Sequence, residues 1–142
     1  MKNTQQGGAI VEFALILPLL LLLGMITTEF GRAIYQYNTI VKSLRGAARY
    51  LSIQTPSTHV TETKNLVVFG NVSGTGSAVT PGLTISLVDT PTWQTTGSVP
   101  LINTVTITVS GYTFNPMFKG AFGVALGPLT YGDISVTMRS QL

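Results

Sequence analysis

The chain has 142 residues, of which 44% are apolar and 9% are charged, and its formal net charge is +3. An ordinary soluble domain carries about 25% charged residues, so this composition favours a chain that lies against lipid or packs among neighbouring subunits. The absence of cysteine excludes disulfides, iron–sulfur sites and cysteine-based zinc sites, and the single histidine, His59, excludes a multi-histidine metal site. We therefore predict no metal and no other cofactor.

The first structural segment is strongly apolar. Residues 9–26 read AIVEFALILPLLLLLGMI and carry one charge, Glu12. Because about 20 apolar helical residues cross a bilayer core, we predict a membrane span whose representative positions are Ala9, Leu15, Pro18, Leu22 and Ile26. The alternative is a removed secretory signal, since Lys2 precedes the run. The length of the run, the early carboxylate and the lack of a small-x-small cleavage site favour a retained span.

The helical pattern continues beyond the predicted span. Apolar residues recur at steps of three and four, which predicts one apolar stripe along a helix from Ala9 to Ile53, roughly 68 Å long. The stripe contains Ile26, Phe30, Ala33, Ile34, Tyr37, Val41, Leu44, Ala48 and Leu51. The polar positions lie mostly off it: Arg32, Gln36, Lys42, Arg45 and Arg49. Pro18 is expected to kink the helix.

From residue 54 onward the composition favours β-structure and turns. We predict strands in LVVF (66–69), LTISLVD (83–89), TVTITVSGYTF (104–114) and YGDISVTMRS (131–140), with DTPTWQTTGSVP and GVALGPLTYG as turn-rich connections. Apolar and hydroxyl residues alternate in the last two runs, which predicts burial of Val105, Ile107, Val109, Ile134 and Val136 against the helix. The predicted fold is α+β, with a long amino-terminal helix packed on a small antiparallel β-rich head.

The amino-terminal sequence carries the most specific motif. Gly7-Gly8-Ala9-Ile10-Val11-Glu12-Phe13 follows a short polar leader, and it resembles the type III signal sequence of type IV prepilins. In that class a membrane aspartyl peptidase cuts after a glycine, a glutamate occupies the fifth mature position, and an aromatic residue follows it in Flp-like and TadE-like members. The resemblance implies cleavage between Gly7 and Gly8. The glycine pair also leaves open a cut after Gly8.

The resemblance to the TadE-like family extends along the helix, through VEFALILPLLLLL, EFGRAIYQY and RGAARYLS, and to the carboxy-terminal runs VTITVSGYTFNP and ISVTMRS. It implies a pilin-like fold, with a leader at 1–7, an assembly helix at 8–53 and an external head at 54–142. It further implies a non-catalytic minor pilin or pseudopilin of a tight-adherence (Flp) pilus. The implied partners are membrane lipid, other pilin subunits, the assembly platform and the prepilin peptidase. Many relatives carry distal cysteines, which this chain lacks.

Glu12 is expected to be functional, because a carboxylate within an apolar span is costly without a partner. In pilin-like filaments the corresponding glutamate is taken to pair with the α-amino group of a neighbouring subunit, so we assign Glu12 and Phe13 to assembly. The alternative is that Glu12 lies at the membrane interface and extends to water.

The orientation of the span in the membrane has two interpretations. The basic residues after the span favour a carboxy terminus on the cytoplasmic side. The prepilin resemblance implies the reverse in the bacterial inner membrane, and we follow it.

Polar helix residues after the span form two groups. Glu29 and Arg32 are three apart and can pair, either at the surface or between subunits. Lys42, Arg45 and Arg49 can bind anionic lipid or a neighbour's carboxylate, or form a solvated face. We regard Glu29, Arg32, Arg45 and Arg49 as possible subunit contacts. The basic residues are too few to predict nucleic-acid binding.

Two other function classes stay open. The first is a monomeric, single-pass membrane-anchored binding module, in which Trp93 could be either a ligand-binding aromatic or a core-capping residue. The second is an enzyme using His59, Asp89 or Asp133. No nucleophile elbow, phosphate loop, paired-acid or metal motif accompanies these residues. We therefore predict no catalytic residues, and we interpret His59 as an exposed linker residue.

Overall fold

The computed structural model describes residues 4–141, with side chains from Gly8 onward. In chain order the elements are helix α1 (Thr4–Leu51), helix α2 (Val60–Phe69), a 3₁₀ turn (Ile85–Leu87), and strands β1 (Thr92–Thr96), β2 (Ile102–Val109), β3 (Thr113–Phe114), β4 (Gly120–Ala121), β5 (Val124–Ala125), β6 (Leu129–Thr130) and β7 (Ile134–Arg139). The residues form two compact units. The first comprises residues 4–34 with Pro116–Gly127, and the second comprises Tyr35–Asn115 with residues 128–141.

Helix α1 contains 48 residues, including Pro18. The predicted long helix is confirmed, although it begins before Ala9 and ends at Leu51 rather than Ile53. Its last carbonyls are satisfied locally, because the Ser52 side chain donates to the Arg49 carbonyl at 2.8 Å and the Ser52 N–H donates to the Ala48 carbonyl at 2.9 Å. Pro56 follows and disfavours helical geometry in the residue before it.

The second unit contains a three-stranded antiparallel sheet in the order β1-β2-β7. Its register places Ile107 opposite Val136 and Val109 opposite Ile134. Val105, Ile107 and Val109 are completely buried and Ile134 is 4% exposed, while Val136 is half-buried. The predicted alternation is therefore confirmed, and the α+β class with it, since the period-two pattern directs one face of each strand into the core.

The core of this unit joins the carboxy-terminal part of α1 to α2 and the sheet. Its buried apolar members are Ile40, Leu44, Ala47, Ala48, Leu51, Val67, Val68, Leu83, Val88, Val105, Ile107, Val109, Tyr112 and Ile134. A further link is polar: the Ser43 hydroxyl lies 2.6 Å from the Val67 carbonyl oxygen, which ties α1 to the end of α2. Burial of each large aliphatic side chain contributes about 1.5–3 kcal/mol.

The predicted apolar stripe is partly wrong. Phe30 and Ile34 are 60% and 59% exposed in the first unit, and Tyr37 is 41% exposed in the second. The buried positions of α1 instead include Gln36 and Ile40, at 8% and 0% exposure. A polar residue can take an interior position when a partner satisfies its amide, and Gln36 has such a partner in Tyr112, 76 residues away. Sequence periodicity cannot detect that contact.

The predicted strand at 66–69 is also wrong, because these residues end helix α2. The helix buries Thr63, Val67 and Val68, and the two valines belong to the core of the second unit. Gly70 follows in the left-handed conformation, and its N–H donates to the Leu66 carbonyl, as in a glycine helix terminus. The low helix propensity of valine costs only fractions of a kcal/mol, so packing against the core decides the structure.

Two other assignments change within the second unit. The predicted strand at 83–89 is instead a 3₁₀ turn at Ile85–Leu87, with a single bridge between Val88 and Val109. Conversely, the segment predicted as a turn-rich connection contains strand β1, in which Trp93 lies opposite Val105. In both cases the position of a segment beside β2 determines whether it pairs as a strand. Local composition does not predict that position.

Candidate membrane and assembly interface

The amino-terminal part of α1 leaves its apolar side chains uncovered. Leu15 is 75% exposed and Leu21 is 57% exposed, while Pro18, Leu22 and Ile26 are half-buried and Ala9 is exposed. In the described chain, α1 is the one helix long and apolar enough to cross a membrane, and none of its most apolar stretch is buried. This arrangement is consistent with a single-pass membrane anchor.

The predicted cleavage and assembly residues lie on this uncovered helix. Gly7 and Gly8 are within α1, and a Cβ added to Gly8 would meet no other atom within 4 Å. Glu12 is exposed and Phe13 is 60% exposed. Between residues 8 and 141, Glu12 makes no ion pair within the chain. The helix thus presents a carboxylate among apolar side chains, and none of the side chains described from Gly8 onward pairs with its charge.

Glu29 is held differently. Its side chain is buried, its Oε2 accepts a hydrogen bond from Arg32 Nη1 at 2.6 Å, and its Oε1 accepts one from the Phe118 N–H at 3.2 Å. The predicted pairing with Arg32 is confirmed, but the carboxylate is not on the surface. Two charge-assisted hydrogen bonds offset the cost of its desolvation. The bond from the Phe118 N–H also fastens the Pro116–Gly127 segment to α1 within the first unit.

The basic group of the second unit stays on the surface. Lys42, Arg45 and Arg49 are exposed, and their spacing of three and four residues places them on one side of α1. An open groove of about 320 Å³ lies beside Lys42, with Gly46 and Leu66 in its lining. Their role as subunit contacts stays a prediction.

A buried polar cluster was not predicted from the sequence. The Tyr112 hydroxyl lies 2.8 Å from the Gln36 side-chain oxygen and 2.8 Å from the Pro81 carbonyl oxygen, and its ring stacks on Tyr131 at a centroid distance of 5.7 Å. Burial, together with the nearby Tyr131, raises the pKa of Tyr112 to about 12. Burial also raises the pKa of Tyr131. No local sequence signal marks this cluster, because its members are far apart in the chain.

The residues considered for catalysis do not form a site. His59 is exposed, with its ring 6.1 Å from that of Tyr50 and its Nδ1 3.6 Å from Glu62. Asp89 accepts a hydrogen bond from the Ser110 hydroxyl at 2.6 Å, and Asp133 is exposed. Within residues 4–141, no three acidic or histidine side chains are grouped to hold a metal ion.

Trp93 packs partly buried against the core of the second unit, which agrees with the core-capping interpretation. Its indole Nε1 is buried, and no hydrogen-bond partner for it is found in the described part of the chain. The ring lines a cavity of about 180 Å³, together with Pro56, Gln94, Thr95 and Asn103. Drug-sized ligands usually occupy pockets of about 300–1,000 Å³, so this cavity is small for a binding site.

Comparison with known proteins adds one match. A family model described as TadE-like protein matches residues 7–49, so the predicted resemblance is confirmed over most of α1. A TadE-like segment indicates a protein associated with the Tad pilus, in a family that is generally structural rather than enzymatic. No curated protein and no solved structure matched the chain.

Proposed function

We propose that this chain is a minor pilin or pseudopilin of a type IV-class (Flp/Tad) pilus, which takes part in pilus assembly and surface adhesion. Its amino terminus faces the cytoplasm, α1 anchors it in the bacterial inner membrane, and the β-rich head lies outside. The observation that carries the proposal is the uncovered apolar helix with Glu12 inside it. The family match over residues 7–49 supports it.

The uncovered helix has two successive environments in this mechanism. In the membrane, lipid covers the apolar side chains, but an ionised Glu12 is costly there, since no residue from Gly8 to Gln141 supplies a compensating charge. In a filament, the helices of neighbouring subunits replace lipid, and the α-amino group of one mature subunit pairs with Glu12 of the next. That pairing neutralises both charges in a medium of low dielectric constant. It therefore favours transfer from lipid into the assembly.

Leader removal is required in this mechanism because it produces a free α-amino group at Gly8, close to the apolar run. The mature protein is expected to begin at Gly8, and Gly7→Ala is expected to cause accumulation of full-length precursor in the membrane. Gly31→Ala is a control in the same helix, since a Cβ at Gly31 meets no atom within 4 Å and Gly31 lies far along the chain from the cleavage site. Mass spectrometry of the amino terminus in the native host distinguishes the two. An intact Met1 on functional protein would contradict the proposal.

The alternative is a monomeric membrane-anchored binding module. Such a module needs a ligand site in the head but no processing at Gly7. The small volume of the Trp93 cavity, about 180 Å³, gives this alternative little support. Unprocessed protein that is active in binding at the cell surface would favour it over pilus assembly.

A further inference from the structure

The first unit contains a hairpin whose tip is unusual. Strands β4 and β5 pair Ala121 with Val124, and the two connecting residues, Phe122 and Gly123, have φ of 52° and 81°. Two consecutive positive φ values are typical of type I′ turns, which favour Asn, Asp or Gly at the first position. Phenylalanine is unfavourable there because a bulky side chain is strained in the left-handed region. Nevertheless, Phe122 occupies the position and is 72% exposed.

The rest of the hairpin segment is apolar and weakly basic. Met117 is 79% exposed and Val124 is 44% exposed. Lys119 is also exposed, and it is the one charged residue in Pro116–Gly127. A strained, solvent-exposed aromatic residue at the end of such a segment suggests a functional contact rather than a folding role.

The attachment of the hairpin fixes its depth along α1. The Phe118 N–H donates to Glu29, three residues beyond Ile26, where the apolar run ends. At 1.5 Å per residue, Glu29 lies about 4.5 Å beyond that end. The headgroup layer on each side of a bilayer core is roughly 5–8 Å thick. When α1 spans a membrane, the attachment point therefore lies within that layer.

We infer that the Pro116–Gly127 hairpin is a second membrane contact, with Phe122 and Met117 at the boundary between headgroups and acyl chains. The inference rests on the proposed membrane insertion of α1. Lipid is favoured over a second copy of the chain because the segment is continuous with the membrane-spanning unit. In addition, its lone charge, Lys119, complements anionic headgroups, whereas the whole chain has only five acidic residues. The contact would limit rotation and tilt of the helix in the bilayer.

Tryptophan fluorescence in vesicles tests the inference. Trp93 is the only tryptophan, so Trp93→Phe gives a background into which Phe122→Trp, Leu15→Trp or Leu101→Trp is introduced in the full chain. Leu101 is 66% exposed and lies in the second unit, so it is a matched exposed control. The vesicles contain phosphatidylethanolamine and phosphatidylglycerol, brominated either near the headgroups or deep in the acyl chains.

We expect Phe122→Trp to emit at shorter wavelength and to lose intensity with shallow bromines, while Leu101→Trp stays water-like. Leu15→Trp should lose intensity with deep bromines. Water-like emission from position 122 with quenching at position 15 would overturn the hairpin inference alone. Absence of quenching at position 15 would overturn the anchor and, with it, the proposed function. A shift in emission at position 122 that appears only at high protein density would show that Phe122 contacts a second copy of the chain, and it would overturn the proposed contact with lipid.

A variant of the turn tests whether the hairpin geometry matters. A Cβ at Gly120, whose φ is 130°, would overlap the Val124 carbonyl oxygen, so Gly120→Ala should disrupt the hairpin without changing its apolar side chains. We expect this variant, combined with Phe122→Trp, to lose most of the shallow quenching. Unchanged quenching would show that an unstructured loop inserts equally well, which would overturn the role of the hairpin.

Discussion

Helix α1 uses the same amino acids in two different ways. In the first unit Leu15 and Leu21 are 75% and 57% exposed, whereas in the second unit Leu44 and Leu51 are completely buried. The hydrophobic effect requires apolar surface to be covered, but it does not specify by what. The sheet and α2 cover the second group within the chain, and lipid or other subunits must cover the first.

The two helix carboxylates differ in a parallel manner. Glu29 has both of its oxygens occupied by partners from its own chain. Glu12 has no ion-pair partner between residues 8 and 141. A carboxylate that is satisfied internally stabilises one subunit, and one that is not can select a neighbour. Two experiments test this contrast between the two parts of α1, and two more test the contacts and the sheet faces of the second unit.

The largest effect is expected from Glu12→Ala. It should leave membrane insertion, cleavage and head stability intact but abolish recruitment into pili, because the neighbouring α-amino group loses its counter-charge in a medium of low dielectric constant. Quantitation of the subunit in purified pili, or of piliation if the subunit acts only in priming, measures the effect. Glu62→Ala, in α2, is the control and should assemble normally. Wild-type assembly of the Glu12 variant would remove the role assigned to this residue.

Two leucine variants compare a side chain that the chain itself buries, Leu44, with one that it leaves exposed, Leu15. Leu44→Ala should lower the free energy of unfolding of the second unit by about 2–5 kcal/mol, since it leaves a cavity in the core. Leu15→Ala should change it by less than about 0.5 kcal/mol, because Leu15 is exposed and outside that unit. Denaturant titration of the full chain in detergent micelles, followed by Trp93 fluorescence, gives both values. Equal decreases in unfolding free energy for the two variants would contradict the conclusion that only the second part of α1 is covered by its own chain.

Tyr112 links α1 to the head and introduces a pH dependence. Because its pKa is raised to about 12 from 10.0, its contribution is fully present below pH 10 and is lost as pH rises towards 12. Ionisation of the buried phenol opposes folding, so the folded state loses stability as the pH rises through this range. Tyr112→Phe should cost about 1–3 kcal/mol near neutral pH, since Gln36 loses its partner.

The difference between wild-type and Tyr112→Phe stability, measured from pH 8 upward in the same micelles, isolates this residue from the lysines that titrate in the same range. We expect the difference to shrink above about pH 10. A difference that stays constant to pH 12 would show that Tyr112 ionises without affecting the fold.

The smallest effect is expected on the hydroxyl-rich face of the sheet. The Thr106 and Thr137 hydroxyls lie 2.7 Å apart, and Thr137→Val should change the unfolding free energy by only about 0.2–1 kcal/mol. Ile107→Ala, in the strand beside it but on the buried face, should cost about 2–5 kcal/mol. Thermal unfolding of the two variants side by side compares the faces. A larger loss for Thr137→Val would contradict the assigned register.

The sequence alone predicted the long helix, the alternation of β2 and β7, and the TadE-like pattern around Glu12. Each of these signals is local: helical periodicity, period-two alternation and the order of residues near one terminus are all contained within short windows. Composition also shows that residues 9–26 need a cover from water, because one charge in 18 residues is typical of a helix that lies in lipid or in a protein core. The structure then shows that the described chain does not supply that cover.

Only the tertiary structure decided which residues of α1 face the head, and that residues 66–69 form a helix while Thr92–Thr96 form a strand. It also decided that the Glu29 carboxylate is buried and accepts a hydrogen bond from the Phe118 N–H, 89 residues away, and that Gln36 is buried against Tyr112. These outcomes depend on partners distant in sequence, whose packing energies of several kcal/mol exceed local propensities of less than about 1 kcal/mol. Local pattern therefore determines the elements with strong periodicity, and long-range packing determines the rest.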